Sequence, residues 1–337
     1  MQRQIITVFG GSGFLGRHLV RRLARQGWTI RVAVRDVEAA GFLKPLGNVG
    51  QILPIRANIL DPDSVGAALS GATAAVNLVG ILYEKSKGDF ERIHVRGGET
   101  IARSAQNLGL ARLVHISALG ADAQSKALYA ATKAAGEEAV RAAFPNVTIL
   151  RPSVIFGPED QFFNTFAAMM LYQPVLPVIG AALLSNTAAH AGGPLFQPVY
   201  VGDVADAIGH ALTRDSCRGE TYSLGGPQVF SFAQLLAKMA RVCRREPILL
   251  PVPLAAAKAL AFFLERLPHP PLTRDQVELL RTDNIIPRGA PGLAELAVTP
   301  HALDTILPTY LARFRPPARQ RVRTDTGTGT DSGMEVR

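Results

Sequence analysis

At 337 residues, 47% of them apolar, the chain has ample core for two domains or for one large domain with an added lobe, and its many glycines and prolines are spread out. The formal charge is +9, part of it from the end of the chain, where six arginines stand against three acids between Leu311 and Arg337. Those arginines are scattered, with no interleaved aromatics and no recognition motif. This sets nucleic acid aside and leaves an acidic partner or lipid head groups.

Residues 5–36 organise the rest. Apolar Ile5, Ile6, Val8 and Phe9 read as a strand. Gly10, Gly11, Ser12, Gly13, Phe14, Leu15 and Gly16 form a turn into a helix ending at Gln26. Ile30, Val32 and Val34 then make a second strand that closes on Arg35 and Asp36. Gly10, Gly13 and Gly16 are spaced more tightly than G-x-G-x-x-G but share its mechanics. Glycine lets the backbone turn sharply off a strand and approach a pyrophosphate, whose charge rests on the helix N-terminus. Set between a strand and a helix, with another strand following, the turn predicts a dinucleotide-binding βαβ unit. An acid at the end of the second strand favours NAD, and an arginine favours the 2′-phosphate of NADP. Arg35 directly follows the last inward apolar residue, so NADP(H) is the expected cofactor and NAD(H) the alternative, with Asp36 starting the next turn. No apolar segment precedes the first strand, and no signal peptide is expected.

An irregular segment to Pro45 leads to a third strand over 51–56, followed by Ala57, Asn58, Ile59 and Leu60. Asp61-Pro62 pairs a capping carboxylate with proline at the first helical position. A strand over 74–78 ends in Asn77, Leu78, Val79 and Gly80, small residues that leave room for a cofactor ribose. Residues 90–108 read as one amphipathic helix, and 112–116 as a strand closing on Ser117. This β-α alternation implies a parallel, doubly wound sheet. The helix from Leu128 carries Tyr129 and Lys133 one turn apart on one face. A further strand, 147–150, ends in Arg151-Pro152-Ser153. Asp203 is expected to cap a helix through Leu212, and Thr221–Leu224 to be a short strand. Ser231-x-x-Gln234 and Thr273-x-x-Gln276 are capping boxes that announce helices of a smaller C-terminal lobe, and another helix is expected from Thr299-Pro300. The most apolar late stretch, 248–267, is too broken by Pro251, Pro253, Lys258, Glu265 and Arg266 to span a bilayer. It reads as a packed helix, with a membrane or partner surface as the alternative. Beyond Arg315 the tail has almost no apolar residues and is expected to be disordered. Cys217 and Cys243 lack motif spacing, which suits a reducing compartment. The histidines show no ligand spacing, so no metal is expected.

The Gly10/Gly13/Gly16 turn, Asn58-Ile59, Ser117, Tyr129-x-x-x-Lys133 and Pro152-Ser153 through Phe156-Gly157-Pro158 resemble the short-chain dehydrogenase/reductase superfamily in its extended or atypical branch. The resemblance implies a Rossmann-type sheet and catalytic roles for Ser117, Tyr129 and Lys133. The serine polarises a substrate oxygen, the tyrosine is general acid/base, and the lysine lowers its pKa while holding the nicotinamide ribose. A phenol titrates near ~10, and an adjacent ammonium together with the cofactor's charge is expected to pull it toward working pH. Cofactor contacts are expected from Gly10, Ser12, Gly13, Phe14, Leu15, Gly16, Arg35, Asn58, Ile59, Val79, Gly80, Tyr129, Lys133, Pro152 and Ser153.

The ordered set His115-Ile116-Ser117, residues 129–137, 155–164 and 197–204 resembles more narrowly the nucleotide-binding accessory subunit of respiratory complex I, alpha-subcomplex subunit 9, and its bacterial relatives. That resemblance implies tightly held NADPH, a structural or assembly role, complex I subunits as partners, and a cytoplasmic or matrix-side location with peripheral membrane contact. The chain departs from the family in a longer segment, 179–194, that reads as an inserted loop. The expected organisation is a Rossmann core over 1–150, a substrate or partner lobe over 151–315 and a basic tail over 316–337. The alternatives are an active NADP(H)-dependent oxidoreductase, epimerase or dehydratase, with an apolar pocket lined from Phe162 to Val178, and a regulator that binds NADPH without chemistry.

Overall fold

The first strand is apolar along nearly its whole length, the pattern of a strand covered on both faces. In the computed structural model, which describes residues 4–181, 192–268 and 270–317, it lies at the centre of a parallel seven-stranded sheet. The chain runs β1 (Ile5–Phe9), α1 (Phe14–Arg25), β2 (Thr29–Val34), β3 (Ile52–Arg56), α2 (Pro62–Leu69), β4 (Ala74–Asn77), α3 (Gly97–Asn107), β5 (Arg112–Ile116), α4 (Leu128–Ala143) and β6 (Thr148–Pro152). Between β6 and the sheet's last strand come β7 (Ile155–Phe156), α5 (Phe162–Tyr172), β8 (Val175–Ile179), β9 (Leu195–Phe196), β10 (Val199–Tyr200) and α6 (Val201–Thr213). That last strand is β11 (Thr221–Leu224), paired with β6. The spatial order is β11-β6-β5-β4-β1-β2-β3, so the strand order reverses between β1 and β4. A ligand crevice opens outside the carboxyl ends of such strands. Leu19, Val20 and Leu23 of α1 pack with Val204 and Ile208 of α6 on one face of the sheet. Ile101 and Ala105 of α3 with Val140 of α4 cover the other.

The lobe adds β12 (Phe230–Ser231), α7 (Phe232–Cys243), β13 (Ile248–Val252), α8 (Leu254–Leu264), α9 (Arg274–Leu279) and α10 (Leu303–Leu311). Three short strand pairs, β7 with β10, β9 with β12 and β8 with β13, frame its core of Phe163, Met170, Leu235, Leu236, Met239 and Leu307. Asp160, buried at its edge, accepts N–H bonds from Gly157, Phe163 and Asn164 and the Tyr310 hydroxyl at 2.7 Å.

Both capping boxes form as the sequence predicts, at Ser231 and Thr273, and Asp61 caps α2. Four local expectations change. Residues 90–108 are not one α-helix: a π-helical turn, Glu91–Arg96, precedes α3. Helix α4 crosses there so closely that a Cβ on Gly136 would stand 2.5 Å from the His94 carbonyl oxygen. Asp203 does not cap α6, which begins at Val201. Its carboxylate instead accepts from the backbone N–H of His301 at 2.7 Å and its Nδ1 at 2.6 Å. The same bonds delay α10 to Leu303, since His301 is held by Asp203 rather than by a helical turn. Finally, α8 turns only Ala257 and Ala261 fully inward and leaves Leu260, Phe262 and Phe263 exposed. No described helix is long and apolar enough to cross a membrane. Most of the expected insertion (182–191) and the tail from 318 lie outside the described residues.

Candidate functional site

The glycine turn divides its labour. Gly10 sits at φ +76°, where a side chain is strained, and a Cβ there would press on the Leu78 and Val79 backbone at 3.3 Å. Its N–H reaches the Ala33 carbonyl at 3.3 Å, which fixes the crevice floor to β2. Gly13 opens α1 with no side-chain cap, and no acid occupies the first turn. The leading N–H groups of α1 are thus left for an outside acceptor, which is what an anion site requires. Gly16 serves packing: a Cβ there would lie 2.5 Å from the Gly11 backbone. Gly11, given no role by the sequence reading, is equally confined, with Val32 Cγ1 2.7 Å from any added Cβ. Ser12 is half-buried in the turn, and Leu15 packs on the core. The Phe14 ring lies against Gly157 of the lobe.

At the end of β2, Asp36 accepts the Ala39 N–H at 3.0 Å and is committed to its turn. Arg35 is exposed and has no side-chain partner among the described residues. Asn58 is exposed and accepts the Leu60 N–H at 3.1 Å, whereas the Ile59 side chain is buried in the core against Gly97. Val79 donates its N–H to Asn77 Oδ1 at 3.0 Å, and the Asn77 amide donates to His115 Nδ1 at 3.1 Å. Burial and the nearby Lys133 charge hold His115 neutral, down to about 3. Gly80 leaves room for Lys133, whose Nζ lies 3.2 Å from where a Cβ would stand.

Ser117, Tyr129 and Lys133 converge beside this crevice. Lys133 Nζ is buried, donates to the Ile116 carbonyl at 3.3 Å, and is brought down to about 8 by burial, against the upward pull of Glu137. Glu137, one helical turn on, holds Arg151 through paired bonds of 2.8 and 2.6 Å. Ser117 is 4% exposed, and its Oγ has no hydrogen-bond partner among the described residues. A buried hydroxyl without a partner is costly unless a ligand completes it. The Tyr129 ring meets Phe90 and His94 edge-on, and Lys133 Nζ sits 6.0 Å from its centroid. Burial pushes the phenol up to about 12. At this distance the ammonium does not offset the desolvation of a phenolate.

Three groups that shape the site carried no sequence signal. His94 Nε2 accepts the Ile81 N–H at 3.2 Å, which leaves the proton on Nδ1 to donate to Thr132 Oγ1 at 3.1 Å. It thereby ties the loop after β4 to α4, and burial lowers it to about 3. Asp275, from α9, accepts the Leu128 and Tyr129 N–H groups at 2.6 and 3.1 Å and caps α4 from the lobe. Asn284 accepts the Ser153 hydroxyl at 2.5 Å, so that side chain joins β6 to the lobe. Pro152 contributes its carbonyl to Leu119 N–H. Phe162 meets Phe163 and Phe166 edge-on and Phe196 and Phe232 at a tilt, and Phe166 meets Phe232 edge-on, a packed cluster in place of the expected apolar pocket. A cleft of about 640 Å³ lies instead between residues 83–87, α8 and α9, with Phe90 and Leu128 in its lining.

The glycine cradle, the uncapped α1 terminus, the Ser117 hydroxyl without a partner among the described residues and the Lys133 amine fit a nicotinamide dinucleotide. Residues 6–225, from β1 past β11, match the model of the NAD dependent epimerase/dehydratase family. The chain belongs to that family. Among its relatives, the mitochondrial NADH dehydrogenase [ubiquinone] 1 alpha subcomplex subunit 9 of Arabidopsis thaliana is 36% identical over 323 residues, 92% of this chain and 78% of that one. The ceramide reductase of Caulobacter vibrioides is 35% identical over 177 residues, 52% of this chain and 54% of that one. The UDP-glucose 4-epimerase of Thermus thermophilus, solved with NAD, shares the fold at TM-score 0.64 and 19% identity, covering 93% of this epimerase-family chain and all of its own.

Proposed function

We propose that this epimerase-family protein is an accessory subunit of respiratory complex I that holds NADP(H) in the crevice between β1 and β4. The carrying observation is the likeness to alpha subcomplex subunit 9, which runs through both crevice and lobe, over 92% of the chain. Gly10, Ser12 and Gly13 cradle the pyrophosphate at the α1 terminus, with Phe14, Leu15 and Gly16 fixing that turn. Asn58, Ile59, Val79 and Gly80 border the adenosine and ribose, and Pro152 and Ser153 close the far end. Arg35, exposed and without an ion-pair partner among the described residues, takes the 2′-phosphate. Lys133 and Tyr129 hold the nicotinamide ribose. The protein sits peripherally on the cytoplasmic face of the membrane, the matrix face in an organelle.

The test is gentle purification from native membranes. Co-migration with complex I on native gels, with near-stoichiometric NADPH in the released nucleotide, is the expected result. A free monomer in cells with intact complex I, or a nucleotide-free chain, overturns it.

One observation favours a second reading, an active oxidoreductase, epimerase or dehydratase: the Ser117 hydroxyl is left for a ligand oxygen. The dinucleotide, when bound, supplies or accepts a hydride. Ser117 would donate to the substrate oxygen, Tyr129 would exchange the proton there, and Lys133 would orient the ribose hydroxyls. Turnover of a carbonyl or hydroxyl substrate that is lost in Tyr129→Phe would establish it.

A further inference from the structure

Helix α8 is built inside out. A helix resting on a protein core normally turns its large apolar residues inward, but α8 sets Ala257 and Ala261 against the lobe, 1% and 0% exposed. Leu260 (53%), Phe262 (42%), Phe263 (68%) and, just beyond, Leu267 (49%) face outward. Residues 260 and 263 share one face by helical spacing, and the Phe262 and Phe263 rings touch at 5.4 Å. Ile248 and Leu250 of β13, which leads into α8, are also more than half exposed. Contiguous apolar surface of this kind marks a docking face.

The charges around it indicate what docks. Arg266 and Arg274 stack their guanidinium groups on the Phe262 ring at 4.2 and 5.3 Å. The neighbouring cleft is lined by six cations, Lys85, Lys87, Lys126, Lys258, Arg274 and Arg281, against four acids. Glu278 is shared by Lys258 and Arg281, and Glu265 takes Arg274. Lys85, Lys87 and Lys126 are exposed and have no ion-pair partner among the described residues. Protruding phenylalanine and leucine ringed by excess basic charge is the pattern of a helix lying in the head-group layer of an anionic bilayer.

We infer that the outward face of α8, with the basic rim beside it, docks on an anionic lipid surface. This deepens the peripheral location proposed above, rests on that part of the reading alone, and places the mouth of the cleft between residues 83–87, α8 and α9 at the bilayer.

The full chain is floated with vesicles of phosphatidylcholine, with and without phosphatidylglycerol. Binding only to the anionic vesicles is expected, with a loss on the order of tenfold in Phe262→Ser/Phe263→Ser. That variant keeps every charge, including the arginines after Pro317, so the loss reports the apolar face. Lys87→Glu/Lys126→Glu is expected to weaken binding and its salt dependence together. Unchanged vesicle binding in the phenylalanine variant overturns the inference. So does a wild-type chain that ignores both vesicles while the same variant is released from native membranes, which would make α8 a protein contact. Protein-free vesicles contain no complex I, so the accessory-subunit reading stands or falls separately. Retained NADPH binding in each variant shows an intact fold.

Discussion

Gly16 sets the distance between α1 and the turn before it. An alanine there would place its Cβ 2.5 Å from the Gly11 backbone, with no flexible side chain to move aside. Gly16→Ala is expected to cost roughly 1–3 kcal/mol and to abolish nucleotide binding, read by urea unfolding and by titration with NADPH. Arg35 makes a separate, electrostatic prediction. Arg35→Ser is expected to lower NADPH affinity about 10- to 100-fold, the range of a lost charge-assisted bond, and to leave NADH binding unchanged. Equal losses for both nucleotides would remove Arg35 from the phosphate site. The two buried histidines govern acid stability. Their folded pKa values, about 3, lie below the unfolded value of 6.5, so the unfolded chain binds more protons between these limits. Stability therefore falls as pH drops below about 6.5, by ~1.4 kcal/mol per pH unit for each histidine. Buried Asp160, Asp203 and Asp275 are raised and act in the opposite sense. The histidine part is accordingly read as the difference in urea midpoint between wild type and His115→Gln across pH 5 to 7.

At the scale of elements, α4 carries Tyr129 and Lys133 but does not cap itself. Ala127 precedes it, and the acceptor for its first N–H groups comes from α9. The capping boxes at Ser231 and Thr273 were legible in the sequence because donor and acceptor lie three residues apart. Asp275 was not legible as a cap, since it acts 147 residues from Leu128. Asp275→Ala is expected to cost roughly 0.5–2 kcal/mol and to raise amide exchange at Leu128 and Tyr129, with Asp275→Asn, which keeps one of the two acceptor oxygens, restoring only part of the protection. Unchanged exchange would show that the cap does not hold α4. Asp203 misled for the same reason: its helix position suggested a local cap, and a distant backbone offered a better partner in His301.

Across the whole molecule, core and lobe are joined on several sides. Asp275 reaches α4, Asn284 takes Ser153, and the Phe14 ring at the start of α1 lies against Gly157. A nucleotide in the crevice would stabilise this joined state by mass action, ~2.7 kcal/mol at a hundred times its dissociation constant. Heating the chain with NADPH is expected to raise the unfolding midpoint by a few degrees, and more than NADH at equal concentration. No shift with either would leave the crevice without its ligand.

The sequence by itself determined the parallel sheet, the glycine turn and the order in which Ser117, Tyr129 and Lys133 enter the site. These depend on periodicity, backbone freedom and spacing within single elements, which are local properties. Only the tertiary structure decided that burial raises the Tyr129 phenol, that Ser117 Oγ lacks a partner while Ser153 has one, and that α8 turns its phenylalanines outward. Desolvation and hydrogen-bond satisfaction depend on what distant segments bring to the same few ångströms, and no stretch of one chain segment encodes that alone.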